Sequence, residues 1–334
     1  MLLVVLLHSN YFSLGWVKPS DISADTFVRI FTEQLCIICV NVFVFISGWF
    51  GIRASLKGAI SLLYQVAFFH ILIVATFLCI GHDIPIRILI KGFYFGSTYW
   101  FILSYLILYA ISPILNAFIN HANPRLYLSV LLGYFFLEFS LGWLFSLPGA
   151  SFDRGYSAIS FIGLYLLAGF INRHDIFLTR LNKSYTFLLY LIFTLLPIGL
   201  LYLTKHYLGM IAYSSPFVIA ASVFFFLTFK NLKINKYNSI INFIAASVFS
   251  IYLIHLHPLV AKHFINFMRN AYNLLDGSLY ILFAILFALF LGFVCVLLDK
   301  LRIMTWKWFC CIFLERFLLK IENSFNKLYT YLGY

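Results

Sequence analysis

Charge is scarce in this 334-residue chain. Asp, Glu, Lys and Arg together make up 10% of it, and the acidic residues number 11. A soluble domain carries about 25% charged residues, so a water-covered globule is excluded. Basic residues exceed acidic ones, giving a net charge of +12. No basic run stands apart from the apolar stretches, and nucleic acid is therefore not expected as a partner. Cysteine is sparse, with six residues. Cys36 and Cys39 lie one helical turn apart in an apolar run, and Cys310 and Cys311 are adjacent. Neither pair has His or carboxylate at metal-ligand spacing, so no metal site is read and the thiols are taken as packing residues. The first apolar run has no preceding Lys or Arg and no small-residue cleavage site, so a signal peptide is not expected. Internal repeats and low-complexity linkers are absent.

What remains is apolar. Hydrophobic residues make up 63% of the chain, mean hydropathy is +0.98, and Phe and Tyr number 40 and 22. Ten apolar segments follow one another at roughly 1–16, 34–52, 60–80, 97–119, 126–146, 157–172, 185–203, 212–229, 241–260 and 278–299. Polar, Pro- and Gly-bearing stretches such as "HDIP", "HANP" and "LPGASFDRG" punctuate them. A spanning helix needs about twenty apolar residues. The expectation is an all-α, polytopic integral membrane protein of about ten transmembrane helices. It has one membrane domain over residues 1–300 and a tail over 301–334. In the tail, Ile303, Trp306, Phe309, Phe313, Phe317, Ile321, Phe325 and Leu328 recur every three or four positions with Lys307, Arg316, Lys320 and Lys327 between them. That pattern predicts a basic amphipathic helix on the inner membrane surface. With the N-terminus inside, 15 basic residues fall on the cytoplasmic side and 8 on the other, which predicts a plasma-membrane protein with both termini cytoplasmic.

Ionisable groups inside apolar segments are the candidates for chemistry, because a polar side chain in hydrocarbon is costly unless partnered. They are His8, Glu138, His255 and His257, with His70 at the end of a span. His8 has two readings: a structural histidine bonded to a neighbouring helix, or a general base, since neutral imidazole accepts a proton near neutral pH. Glu138, in "YFFLEFSLGW", is either a satisfied buried acid or a group that orients a histidine. His255 and His257 are two residues apart and do not share a helix face, so different partners are expected. Glu33, Arg53 and Asp299 lie near segment ends. Arg53 and Lys57 follow "NVFVFISGWFG" and are either positive-inside anchors or phosphate contacts. Tyr99, Trp100 and Phe101 open the fourth segment as belt residues or as a platform, and Asn116 sits near its other end.

The order of a first-helix histidine, "FVFISGWFGIR", "TYWFILSYLILYAISPILN" and "VFSIYLIHLHPLV" resembles the membrane-bound acyltransferase family 3, over essentially the whole chain. The branch that acylates bacterial surface or capsular polysaccharides is the most similar. The resemblance implies transfer of an acyl group, commonly acetyl, from acyl-CoA to a hydroxyl of a polysaccharide or its lipid-linked precursor. It implies His8 as the catalytic residue, with Glu138 and His255 as further catalytic candidates. Arg53, Lys57, Tyr99, Trp100 and Asn116 become substrate-binding candidates, and no bound cofactor is implied. His8 would act as general base or carry a transient acyl group. Members of that family usually carry an arginine about three turns before the histidine. Only seven residues precede His8 here, so coding sequence upstream of Met1 is expected. Two other functions use many spans and buried polar groups. One is a flippase or transporter of lipid-linked sugars. The other is a polysaccharide polymerase, which usually needs a larger extracytoplasmic loop than any seen here.

Overall fold

Each of the ten apolar segments is helical, but they are not ten equal spans. The computed structural model describes residues 1–18, 23–91, 99–147, 151–174, 177–204, 210–232 and 238–317, and these contain helices and no strands. Six helical stretches are long and apolar enough to cross a membrane: Ala24–Phe50, Leu56–Cys79, Trp100–His121, Pro124–Leu144, Lys183–Thr204 and Gly277–Phe317. Three segments form shorter helices. The first is α1 (Leu2–Leu7), which continues through a π-helical turn at His8–Phe12; the others are α8 (Ala158–His174) and α10 (Pro216–Lys230). Each is shorter than the roughly twenty residues of a typical spanning helix. The ninth segment is broken, with Ser239–His255 and Pro258–Leu274 meeting at 84°. The expectation of about ten full spans counted these four as equals of the rest.

The remaining helices are α2 (Ala24–Cys36), α3 (Cys39–Phe50), α4 (Leu56–Cys79), α5 (Ile86–Lys91), α6 (Trp100–His121), α7 (Pro124–Leu137, continued by a π-helical turn to Leu144) and α9 (Lys183–Thr204). After α10 come α11 (Ser239–Ala245), α12 (Phe249–His255), α13 (Pro258–Leu274) and α14 (Gly277–Phe309). Large apolar side chains such as Leu132, Phe136, Phe290 and Phe293 point away from the protein, as a lipid-facing surface requires.

Helices α1 and α8 are packed among their neighbours. Helix α8 packs on α3 and α6, and α1 packs on α2 and α14. Contact between α3 and α8 is backbone to backbone at Gly48. A Cβ there would lie 2.5 Å from the Tyr165 carbonyl oxygen and 2.7 Å from its Cα. Small residues permit this kind of approach between membrane helices. Helix α3 ends at Gly51, whose φ of +72° suits glycine. The next residue is clamped from both sides: Ile52 N–H donates to the Tyr165 hydroxyl at 2.8 Å, and Asn116 Nδ2 donates to Ile52 O at 2.9 Å.

The break in the ninth segment follows from its sequence. Pro258 has no N–H to donate, and the residue before a proline is pushed out of helical geometry. His257 accordingly has ψ of 136°. Its N–H bonds Ile254 O at 3.2 Å instead of Leu253 O, and the Tyr99 hydroxyl supplies the bond that Leu253 O lacks, at 3.2 Å.

The last helix runs without interruption through the boundary drawn at residue 300. Beyond it, Trp306 and Phe309 pack on Tyr64 of α4, with ring centroids 5.0 and 5.3 Å apart. The start of the expected surface helix is thus the packed end of α14. Leu318–Tyr334, which hold Lys320, Ile321, Phe325, Lys327 and Leu328, lie outside the described residues, as do Lys205, Lys233 and Lys236. Inside α14, Asp299 and Arg302 form a buried two-point ion pair, both bonds 2.8 Å, so the Asp299 charge is neutralised within its own helix.

The close approach at Gly48 makes a prediction. Gly48→Ala should lower the melting temperature of the detergent-extracted protein, since overpacking costs about 1–3 kcal/mol. Gly133→Ala, with nothing within 4 Å of the added Cβ, should leave it unchanged. Equal melting of both variants would contradict the α3–α8 contact.

Candidate active site

One face of α1 lines a cavity of about 780 Å³. Met1, Val4, His8 and Tyr11 recur along it at helical spacing. The opposite walls come from Glu33, Ile37 and Cys39 near the α2–α3 junction, Trp100 of α6, Arg154 and Tyr156, the stretch Met210–Tyr213, and Tyr252, Leu256 and Pro258 around the broken segment.

His8 faces this space half-buried, while His255 is 1% exposed behind it. Their rings meet through His8 Nδ1 and His255 Nε2 at 2.8 Å. The other nitrogen of His255, Nδ1, bonds the carbonyl oxygen of Ile251 one turn back. A carbonyl only accepts, so His255 Nδ1 carries the proton, and in the neutral ring Nε2 is bare. His8 Nδ1–H is then the donor to His255, and its Nε2 keeps a free lone pair. No described residue bonds that nitrogen. A backbone carbonyl, acting through one histidine, sets the tautomer of another.

The second histidine of "HLHP" has a different partner, as its spacing predicts. Leu259 N–H donates to His257 Nδ1 at 3.3 Å, capping α13. His257 Nε2–H then donates to His70 Nδ1 at 2.9 Å, and His70 Nε2–H to Leu89 O at 3.0 Å. This pair ties the broken segment to α4 and does not line the cavity.

Other candidates are dispersed. Trp100 lines the cavity, packed against Tyr156 with centroids 4.7 Å apart. Tyr99 serves the helix break and Asn116 the turn after α3, where its Oδ1 also accepts the Tyr165 hydroxyl at 2.6 Å. Neither lines the cavity. Glu138, 1% exposed on the π-helical turn after α7, lies beside Ser160 and Tyr134 and meets neither cavity histidine, and its Oε2 finds no partner among the described residues. Arg53 is exposed beyond the clamped turn. Lys57 is also exposed and pairs with Glu315 at 3.9 Å, an interaction worth little at a surface.

The sequence reading did not place a polar cluster beside His8. Asp25, Arg29 and Glu33 recur every four residues on α2, forming one face, and that face turns inward. Asn10 joins two of them. Its Oδ1 accepts Arg29 Nε at 3.1 Å, and its Nδ2 donates to Glu33 Oε2 at 2.9 Å and to Arg29 O at 2.8 Å. Arg29 also donates to Gly15 O at 2.6 Å and lies over the rings of Tyr11 and Tyr272. Asp25 accepts the Tyr272 hydroxyl. The signal was the four-residue charge spacing running directly into an apolar segment. Across the cavity, Asp153, Arg154 and Gly155 all have positive φ, and Gly155 lies so close to Tyr213 that a Cβ would be 2.5 Å from the tyrosine Cβ. This left-handed turn holds Tyr156 against Tyr213, with centroids 4.7 Å apart.

No group of three or more His, Cys, Asp or Glu with metal-holding geometry occurs among the described residues. In comparison with known proteins, the model of the acyltransferase 3 family, described as an acyltransferase domain, matches residues 1–298. No curated protein and no solved structure matches the chain.

The bare Nε2 of His8 makes a prediction about reactivity. Diethylpyrocarbonate attacks an unprotonated, accessible imidazole nitrogen. Among His8, His70, His255 and His257, mass spectrometry of the labelled native protein should find His8 modified first. Modification of His255 ahead of His8 would contradict the tautomer and burial assigned to the pair.

Proposed function

The chain belongs to the acyltransferase 3 family, and from that premise we propose that it transfers an acyl group, acetyl in the simplest case, from acyl-CoA to a hydroxyl of a surface polysaccharide or its lipid-linked precursor, with His8 as general base. The observation that carries the proposal is His8 at the cavity wall, with its Nδ1 bonded to His255 and its Nε2 left without a partner. An acceptor hydroxyl gives its proton to Nε2 as its oxygen attacks the thioester carbonyl carbon. The tetrahedral intermediate collapses, the carbon–sulfur bond breaks, and the departing CoA sulfur takes the proton back from His8. An ester and free CoA result, and the histidine is regenerated. Holding both substrates together in the cavity supplies several kcal/mol of the barrier.

Arg53 and Lys57 follow the clamped turn after α3, exposed on one face of the bundle. In this proposal that face is cytoplasmic, as are both termini, and the two cations bind phosphates of the donor. The cavity end carrying Trp16 and Arg154 then faces the acceptor side. The His70–His257 pair satisfies polar groups inside the bundle, and neither it nor Glu138 touches substrate. A flippase for lipid-linked sugars would use the same cavity for passage without needing a basic nitrogen at residue 8.

The test is His8→Gln and His8→Ala in membranes, with CoA release and acyl incorporation into glycan as readouts. Loss of a general base costs about a hundredfold to ten-thousandfold in rate, so both variants should be inactive at normal membrane abundance and melting temperature. Acylation by either at the wild-type rate would overturn the assignment. Glycan translocation surviving His8→Gln, with no acyl transfer by wild type, would favour the flippase.

A further inference from the structure

Glu33 is the one carboxylate among the residues that line the cavity, and half of it is already committed. Oε2 accepts Asn10 Nδ2 at 2.9 Å and Tyr11 N–H at 3.4 Å. Oε1 accepts no hydrogen bond from any described residue. The side chain is thus clamped to α1 by one oxygen and presents the other to the cavity. The clamp points lie two and three residues beyond His8, about 3–4.5 Å further along the helix axis. Opposite stand Tyr156 and Tyr213, their rings packed together with centroids 4.7 Å apart.

From this arrangement, and resting on the acyl-transfer reading above, we infer that Glu33 is an acceptor-binding residue. Its Oε1 accepts a hydrogen bond from a second hydroxyl of the polyol whose neighbouring hydroxyl is deprotonated by His8. A carboxyl oxygen left without a partner takes one from the substrate, and the groups a substrate offers are a hydroxyl or an ammonium group. Arg29 decides between them. It lies one turn away on the same helix and is bridged to Glu33 through Asn10, so the cluster already holds a cation for its carboxylate. A second positive charge beside Glu33 would stand close to the Arg29 guanidinium, and like charges so near each other are disfavoured. A neutral hydroxyl avoids that repulsion and hydrogen-bonds the carboxyl group. The ring faces of Tyr156, Tyr213 and Trp100 offer the apolar side of a sugar ring a surface to lie on. Two contacts to one ring, at Glu33 and at His8, fix which hydroxyl reaches Nε2. The site therefore selects the position acylated as well as the substrate class.

The experiment uses the full chain in membranes, radiolabelled acetyl-CoA, and glycan-bearing membranes from cells lacking the gene as the acceptor. Glu33→Gln should raise the amount of acceptor membrane needed for half-maximal labelling by about tenfold or more, the loss expected for a hydrogen bond to a charged group. Half-saturation by acetyl-CoA should stay within about twofold of wild type. Glu33→Asp keeps the charge but withdraws the oxygen by one methylene and should shift the acceptor curve in the same direction; it carries the test if Glu33→Gln does not accumulate. A wild-type acceptor curve in an accumulating variant would overturn the inference. So would equal shifts for donor and acceptor, or a fall in maximal rate with both half-saturation points unchanged. If wild type itself labels no glycan, the acyl-transfer reading fails, an outcome distinct from a wild-type curve in the variants.

Discussion

A polar group surrounded by hydrocarbon has no water to turn to, and this constraint organises the molecule. At two breaks in helical regularity, backbone groups are freed and particular side chains meet them. The Leu253 carbonyl released at Pro258 is met by Tyr99, and both backbone groups of Ile52 after Gly51 are met by Tyr165 and Asn116. The same rule pairs histidine with histidine twice, once across α1 and α12 and once across α4 and the start of α13. An unsatisfied group of this kind costs several kcal/mol, more than most single contacts supply. The partner choices therefore fix the geometry of the core.

The break at Pro258 connects fold to chemistry. It separates His255 from His257 by an 84° bend, so residues two apart in sequence serve different helices. One histidine caps α13 and joins the broken segment to α4. The other stays in α12, where the Ile251 carbonyl fixes its proton and, through it, the proton of His8. A buried carboxylate would orient the same ring more strongly, but it would bring an unpaired charge into the membrane interior. A backbone carbonyl does the orienting with no such charge.

Much of this was legible in the sequence because lipid allows few compositions. The ten apolar segments are all helical, and His8, His255 and His257 stand out as polar residues where polarity is costly. The two-residue spacing of "HLH" foretold separate partners. Span lengths were less legible, since composition does not distinguish a lipid-crossing helix from one buried by its neighbours, as α1, α8 and α10 are. Tyr99 and Asn116 read as substrate groups because the carbonyls they satisfy lie 154 and 64 residues away in sequence. Glu33 read as a segment-end charge because the apolar window opened at residue 34. Only the fold shows that Asn10 and Arg29 balance that charge and turn it toward the cavity. Tyr156 and Tyr213 lie in irregular stretches without periodicity, and the strained turn that brings them together leaves no pattern to read.

The central claim is that His8 is neutral with its proton on Nδ1 and a bare Nε2. Nitrogen NMR of the full-length protein in lipid, with ¹⁵N-labelled histidine and His8 assigned by difference from His8→Gln, tests it directly. The account predicts a protonated signal for His8 Nδ1, an unprotonated one for His8 Nε2, and the reverse placement on neither nitrogen at neutral pH. A protonated His8 Nε2 with a bare Nδ1 would contradict it, because the proton would then occupy the nitrogen that the cavity needs free.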